Sequence, residues 1–170
     1  MEQVKRSKRY LNRMEKIYSG IFSSSGHNEE DYDDDVISFF IHCYHIRDWI
    51  IHLNTLNIRA SHVDIFINEH QALKICADLA NGSKQHCKLT RSLRTGRQPH
   101  IAVKQKQTST WSTEAGGGDV MTCKYTILCD GKIYDALQLA RECIQLWDSY
   151  ISELNALKTP VIDNDPTKTI

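Results

Sequence analysis

The sequence predicts a mostly α, α+β fold: a four-helix bundle with a small antiparallel β-meander inserted before the last helix. Two patterns predict it. Several segments repeat apolar residues at three- and four-residue spacing, which is the period of an amphipathic helix. Residues 100–134 instead alternate and are rich in Val, Thr, Ile and Tyr, as strands are. We therefore assign residues 1–158 to one domain, with the β insertion at about 100–134, and expect residues 159–170 to form a disordered tail.

Three helices are predicted before the strands. The first covers residues 3–23 and ends at "SSSGHN". The second runs from about Asp34 to Leu53, after the acidic run "NEEDYDDD", whose carboxylates suit the positive end of a helix dipole. The third runs from about Val63 to Ala80, with Ser61 or Asp64 as its cap, and "NGSK" then marks a helix end or a kink.

The meander and the last helix follow. "HIAVKQKQTSTW" and "DVMTCKYTILC" are predicted strands, and "KIY" supplies a third short strand. Between the last two strands, Asp130 and Gly131 predict a tight hairpin turn, since Asp-Gly readily adopts positive φ angles. Asp135 is then expected to cap the last helix, whose apolar face is wide.

The charges balance overall but are segregated along the chain. The 21 basic and 21 acidic residues exclude a uniformly polycationic protein. However, the N-terminal segment is basic, and residues 79–113 contain no Asp or Glu. This acid-free stretch is a candidate RNA-binding surface, although charge blocks more often mark solvated faces. The candidate nucleic-acid-binding residues are Lys84, Lys88, Arg91, Arg94 and Arg97.

The cysteines and the N-terminus indicate a cytoplasmic protein. The six cysteines include no C-x-x-C pair, and we expect them to be reduced and mostly buried. The chain starts without the apolar run of a signal peptide or anchor, and no segment approaches the ~20 apolar residues of a membrane span. We therefore predict no membrane partner.

The stretch "HCYHIRDWIIH", residues 42–52, concentrates reactive side chains on the second predicted helix. At about 100° per residue, His45, Asp48 and His52 form one stripe, and Arg47 lies on the apolar side. The stripe could supply metal ligands, because imidazole and carboxylate suit Zn or Fe. The two histidines are about 10.5 Å apart along the axis, however, so we predict no metal and no cofactor.

Within this stretch, "RDWIIH" resembles the signature of the HEPN superfamily, small helical bundles that include RNA-cleaving toxins and phage-defence effectors. The resemblance implies a metal-independent ribonuclease that acts on RNA. It implies that His52 is the general base or acid, that Arg47 stabilises charge on the phosphate, and that Asp48 occupies the polar second position. It also implies a homodimer that joins two motifs in one cleft, and a protein partner encoded nearby.

A second resemblance covers more of the chain. "YHIRDWI" and "DLANGSKQH", followed by "DGKIYDA", look like a group of small bacterial proteins of unassigned function. The likeness extends over most of residues 36–150. In this chain Gln85 separates Lys84 from His86, where the group has an adjacent Lys-His pair.

A structural interpretation of the same polar residues stands beside the catalytic one. Asp78 facing Arg47 would form a charge pair between the second and third helices, with His45 and Asn81 in the same polar network. On this interpretation the protein is a non-catalytic protein-interaction module.

Overall fold

The computed structural model describes residues 1–22, 29–53, 58–85, 93–114 and 116–157. These residues form six helical segments and four strands. The elements are α1 Glu2–Ser19, β1 Ile21–Phe22, α2 Glu29–Tyr44, α3 Ile46–Leu53, α4 Ala60–Glu69, α5 Gln71–Gln85, β2 His100–Thr113, β3 Gly116–Cys129, β4 Lys132–Asp135 and α6 Ala136–Ala156. α1 and α6 pack against β3, while α2 packs against α1 and α5. The largest fully buried side chains include Trp147, Tyr125, Phe39, Phe40 and Met14.

The antiparallel sheet is built around β3. β2 pairs with β3 along one edge, from His100 opposite Leu128 to Thr113 opposite Gly116. β1 and β4 share the other edge of β3, and each covers only one part of it. β2, β3 and β4 lie where the alternating pattern predicts strands, and the turn at Asp130 and Gly131 has the predicted positive φ angles of 48° and 74°.

Tyr18 fills the gap that β1 and β4 leave along β3. β1 pairs at Val120 and Met121, and β4 begins to pair at Thr126. Between them, the Tyr18 hydroxyl accepts a hydrogen bond from the Tyr125 backbone N–H (2.9 Å) and donates one to the Tyr125 carbonyl (3.1 Å). The last turn of α1 therefore supplies the pairing that a neighbouring strand would otherwise provide, as buried backbone groups require.

The α+β class is confirmed, but the predicted four-helix bundle is wrong, because the number of helical segments does not match it. The second predicted helix is interrupted at His45, between α2 and α3. The third is interrupted at His70, whose backbone is extended (φ −116°, ψ 116°) and whose ring nitrogen Nδ1 hydrogen-bonds the Phe66 carbonyl at 2.8 Å. Apolar spacing continues across both breaks, so periodicity alone predicts unbroken helices.

The remaining helix ends follow local chemistry. α1 ends at Gly20, which has φ 115° and would place a β-carbon 2.6 Å from Val120. α2 begins at Glu29, so the acidic run lies in its first turns rather than before it. α5 continues through Asn81 and Gly82 to Gln85. Asp135 caps α6 as predicted, accepting a hydrogen bond from the Gln138 N–H at 2.9 Å. The predicted disordered tail lies outside the described residues.

Candidate functional site

Arg47 is held by a carboxylate from the next helix. Its Nε donates to Asp64 Oδ1 at 2.8 Å, and its Nη2 donates to Asp64 Oδ2 at 2.7 Å. The expected pairing of Arg47 with Asp78 is therefore wrong, and the partner is Asp64 in α4. α4 begins at Ala60, with Arg59 at its cap position, so Asp64 lies inside the helix and its carboxylate is available to α3.

Three further side chains complete this ion-pair cluster. Arg94 donates to Asp64 Oδ1 at 2.8 Å and to Asn68 Oδ1 at 2.5 Å, and Arg47 also donates to Asp48 Oδ1 at 2.9 Å. The Arg47 hydrogen bond holds the pKa of Asp64 below its usual value, and Asp64 in turn raises the pKa of Arg47. We call the set Arg47, Asp48, Asp64, Asn68 and Arg94 the Arg47–Asp64 network.

Asp78 performs a different structural task. Its buried carboxylate accepts hydrogen bonds from the backbone N–H groups of Arg94 (3.2 Å) and Thr95 (2.9 Å), and from the Thr95 hydroxyl (2.7 Å). These three donors satisfy a carboxylate that is only 3% exposed. Asp78 thereby fixes the loop that brings Arg94 to Asp64, so the structure uses it as a polar anchor for a loop rather than as a partner of Arg47.

The predicted catalytic residues Arg47 and His52 lie on α3, and both follow the break at His45. They are five positions apart along this helix, so their side chains point about 140° apart around its axis. A kink at His45 does not change that angle, because it precedes both residues. His52 is exposed, and its Nδ1 hydrogen-bonds the Asp48 carbonyl at 2.7 Å. Among the described residues, Arg47 and His52 are joined by no hydrogen bond, so their catalytic roles stay predictions.

The other predicted polar residues are dispersed. The His45 ring lies edge-on to the His42 ring, with centroids 6.4 Å apart, and Asn81 is half-buried in α5. Across the described part of the chain, the one group of three or more His, Cys, Asp or Glu side chains close enough to share a metal ion consists of cysteines. The stripe of His45, Asp48 and His52 is not such a group.

The predicted nucleic-acid-binding residues are only partly covered by the structure. Lys88 and Arg91 lie outside the described residues, as does the side chain of Lys84. Arg94 belongs to the Arg47–Asp64 network. Arg97 is 80% exposed, and its Nε lies 3.6 Å from Asp130 Oδ1, a loose pairing that leaves it accessible.

A basic cleft lies elsewhere, between α1 and α2. It has a volume of about 370 Å³ and is lined by Arg6, Arg9, Tyr10, Arg13 and His42. The Tyr10 and His42 rings stack with centroids 5.0 Å apart and planes 20° apart, and the Arg13 guanidinium lies 5.0 Å from the Tyr10 ring centre. The cleft therefore combines three cations with a stacked pair of flat rings, which is a suitable arrangement for a phosphorylated ligand.

The cations of the basic cleft are only partly neutralised. Arg9 pairs with Glu2 at 3.3 Å and Arg13 with Asp35 at 2.9 Å, and both arginines are more than half exposed. Arg6 has no ion pair with a described residue. Exposed pairs of this kind are weak, so an incoming phosphate can compete for the guanidinium groups.

Gln3 fixes the tautomer of the His42 ring within the cleft. The Gln3 amide nitrogen donates to the His42 carbonyl at 2.7 Å, which establishes the orientation of the amide. The same nitrogen lies 3.3 Å from His42 Nδ1, so Nδ1 accepts and Nε2 carries the proton of the neutral ring. Burial lowers the pKa of His42, and the Arg6 cation lowers it further. At neutral pH this imidazole is therefore uncharged, and its Nε2–H is a hydrogen-bond donor.

Sequence reasoning identified the basic N-terminal segment but not this cleft. Arg6, Arg9, Tyr10 and Arg13 recur at i, i+3, i+4 and i+7, so they share one face of α1. That spacing is the signal that could have found them. The contribution of His42 requires the packing of α2 on α1, which the sequence does not reveal.

Within the described residues, no helix combines the length and apolarity needed to cross a membrane. Comparison with protein-family models, curated proteins and solved structures gives no match for this chain.

Proposed function

We propose that the protein binds single-stranded RNA through the basic cleft. The observation that carries the proposal is the convergence of Arg6, Arg9 and Arg13 on a cleft that also contains the Tyr10–His42 stack. Guanidinium groups bind phosphate through charge-assisted hydrogen bonds, and their planes, like aromatic rings, stack on unpaired bases. The neutral His42 ring adds an N–H donor.

A single strand suits the cleft better than a duplex. Proteins read duplexes by inserting helices, strands or loops into the grooves, whereas unpaired nucleotides enter concave pockets. At about 370 Å³, this cleft is near the lower end of the range for ligand sites and is suited to one nucleotide at a time. The exposed basic side chains of α1 can then contact the neighbouring phosphates.

The Arg47–Asp64 network is assigned a structural role in this proposal. Its two guanidinium groups already bond to Asp64, Asp48 and Asn68, so a phosphate would have to displace these partners. The network connects α3, α4 and the loop that contains Arg94. Cleavage of RNA by Arg47 and His52 is a separate prediction, independent of binding at the basic cleft.

Fluorescence anisotropy with a short labelled oligouridylate tests the proposal. Arg6→Gln should weaken binding at least about tenfold, because a hydrogen bond to a charged group contributes about 1.5–3 kcal/mol. Losing one phosphate contact should also make the dependence of log affinity on log salt shallower by about 0.7. Arg59→Gln is the matched control, since Arg59 is exposed at the start of α4, outside the cleft.

Equal losses of affinity in Arg6→Gln and Arg59→Gln would show that the cleft is not the RNA-binding site. Absence of binding at low salt would refute RNA binding itself. An oligodeoxythymidylate of the same length tests the choice of nucleic acid. Equal affinity for this DNA would broaden the ligand to single-stranded nucleic acid in general.

The second candidate function is protein interaction, with a second copy of this chain as the partner. The observation that favours it is the outer edge of β2, a 14-residue strand that no described strand covers. Open edges of this length pair readily with other strands. Light scattering should then show a dimer. Proline is then substituted at Gln105 and, separately, at Lys106. The substitution at the position whose backbone N–H points away from β3 should dissociate the dimer, because proline cannot donate that hydrogen bond. Monomeric wild-type protein would refute this candidate.

A further inference from the structure

Three buried cysteines from three different helices meet in the core. Cys43 lies in α2, Cys76 in α5 and Cys143 in α6, and their sulfur atoms all lie within 4.8 Å of one another. All three side chains are at most 1% exposed. They are far apart in sequence, so no motif reveals the cluster, which exists only because α2, α5 and α6 pack together.

Trp147 contributes an unpartnered polar atom beside this cysteine cluster. Its ring is 1% exposed, and its Nε1–H has no hydrogen-bond acceptor at ordinary geometry among the described residues. The nitrogen nevertheless lies near enough to Cys43 to act on that thiol's pKa. A buried N–H without an acceptor is costly, and a thiolate sulfur at this position would satisfy it.

The cluster also favours one deprotonated sulfur. Burial acts to raise the pKa of Cys43, but the neighbouring thiols of Cys143 and Cys76 and the indole N–H of Trp147 outweigh it and lower that pKa to about 5. Burial raises the pKa values of Cys76 and Cys143. The Cys76 thiol donates to the Phe40 carbonyl (3.5 Å) and the Cys143 thiol to the Ala72 carbonyl (3.4 Å). Among the three thiols, Cys43 is therefore the one that loses its proton most easily.

We propose that Cys43, Cys76 and Cys143 bind one thiophilic metal ion, Cu(I), in a three-coordinate site. Metal–sulfur distances of about 2.3 Å place the sulfurs of a trigonal site about 4 Å apart, so side-chain movements below about 1 Å convert the observed cluster into the site. Thiolate ligands select soft ions such as Cu(I) and Zn(II). Structural Zn(II) takes four ligands, and the described residues offer only three here.

Binding of the ion requires no change in the oxidation state of copper or sulfur. The ion enters as Cu(I), three copper–sulfur bonds form, and the thiol protons of Cys43, Cys76 and Cys143 pass to the solvent. The indole N–H of Trp147 then donates to the Cys43 sulfur and offsets part of the negative charge of the complex. Because the cluster is fully buried, the ion must enter during folding or a local opening of the helices.

Copper loading tests the site. The protein is unfolded in urea and refolded without oxygen in the presence of Cu(I) or of Zn(II), then freed of loose metal with a chelator. We expect one copper per chain, no retained zinc, and a shell of three sulfurs in the X-ray absorption spectrum. Cys76→Ala should abolish copper retention, whereas Cys123→Ala should retain it, since Cys123 is buried outside the cluster.

No retained copper, equal retention by Cys76→Ala and Cys123→Ala, or retention of zinc in preference to copper would each overturn the proposal. The sulfur count of the wild-type complex decides the matter even if the Cys76 variant does not fold. Fewer than three sulfur ligands would refute the site.

Discussion

The most informative perturbation of the Arg47–Asp64 network is Asp64→Asn. This change keeps the shape of the side chain but leaves the guanidinium groups of Arg47 and Arg94 facing a neutral amide. Removing one partner of a fully buried ion pair costs about 3–5 kcal/mol, and removing one from an exposed pair costs about 0–1 kcal/mol. The side chains of Arg47 and Asp64 are 21% and 29% exposed, so we expect an intermediate loss of about 2 kcal/mol.

Urea unfolding followed by circular dichroism measures this loss. Asp48→Asn is the matched control, because Asp48 accepts one hydrogen bond from the same guanidinium and is 46% exposed. We expect this control to lower the free energy of unfolding by less than about 1 kcal/mol. Equal losses for the two variants would contradict the central position assigned to Asp64.

The pH dependence provides an independent check. Because Arg47 lowers the pKa of Asp64 in the folded state, the carboxylate stabilises the fold above the pKa of the unfolded chain, about 3.9. The stability difference between wild type and Asp64→Asn should be complete above about pH 5 and should shrink as the pH falls through the lowered folded-state pKa. A difference that stays constant on acidification would refute the assignment.

Three further predictions concern other parts of the molecule. Tyr18→Phe should lower the free energy of unfolding by about 2 kcal/mol, because the backbone N–H and carbonyl of Tyr125 lose their partner. Tyr150→Phe is the control, since the Tyr150 hydroxyl bonds to no described residue, and an equal loss in both variants would contradict the prediction. The NMR titration midpoint of His42 should lie below 6.5 in the free protein, because burial and Arg6 lower its pKa, and should rise when RNA binds; a midpoint at or above 6.5 in the free protein would contradict this. If Arg47 and His52 form a ribonuclease site, wild-type protein should cleave RNA in the presence of EDTA and the His52→Ala variant should not. His52 is exposed, so this substitution should leave the fold intact. RNA that stays intact with the wild-type protein would refute the prediction.

The local elements were readable from the sequence because their signals are local. The alternation of residues 100–129, the Asp130–Gly131 turn and the Asp135 cap each depend on a few neighbouring residues, and the structure has all three. The breaks at His45 and His70 were missed, since the apolar period continues through them. At His70 the break is stabilised by a side chain that bonds the Phe66 carbonyl, and hydropathy does not contain this information.

The candidate sites were less predictable, because each joins residues distant in sequence. Asp64 and Asp78 are both acidic residues in the predicted third helix, and sequence alone does not distinguish which of them faces Arg47. The break at His70 decides it, since it places the two carboxylates on different helices, α4 and α5. Likewise, the basic face of α1 is visible in the sequence, but its apposition to His42 depends on the packing of α1 on α2.

RNA binding at the basic cleft is tested most directly by NMR of isotope-labelled protein titrated with a short oligouridylate. We expect chemical-shift changes that centre on the Arg6 and Arg13 side chains and the His42 ring, with the Arg47 and Arg94 guanidinium signals unchanged. Shifts that centre on Arg97 or on the Arg47–Asp64 network, with the basic cleft unaffected, would contradict it.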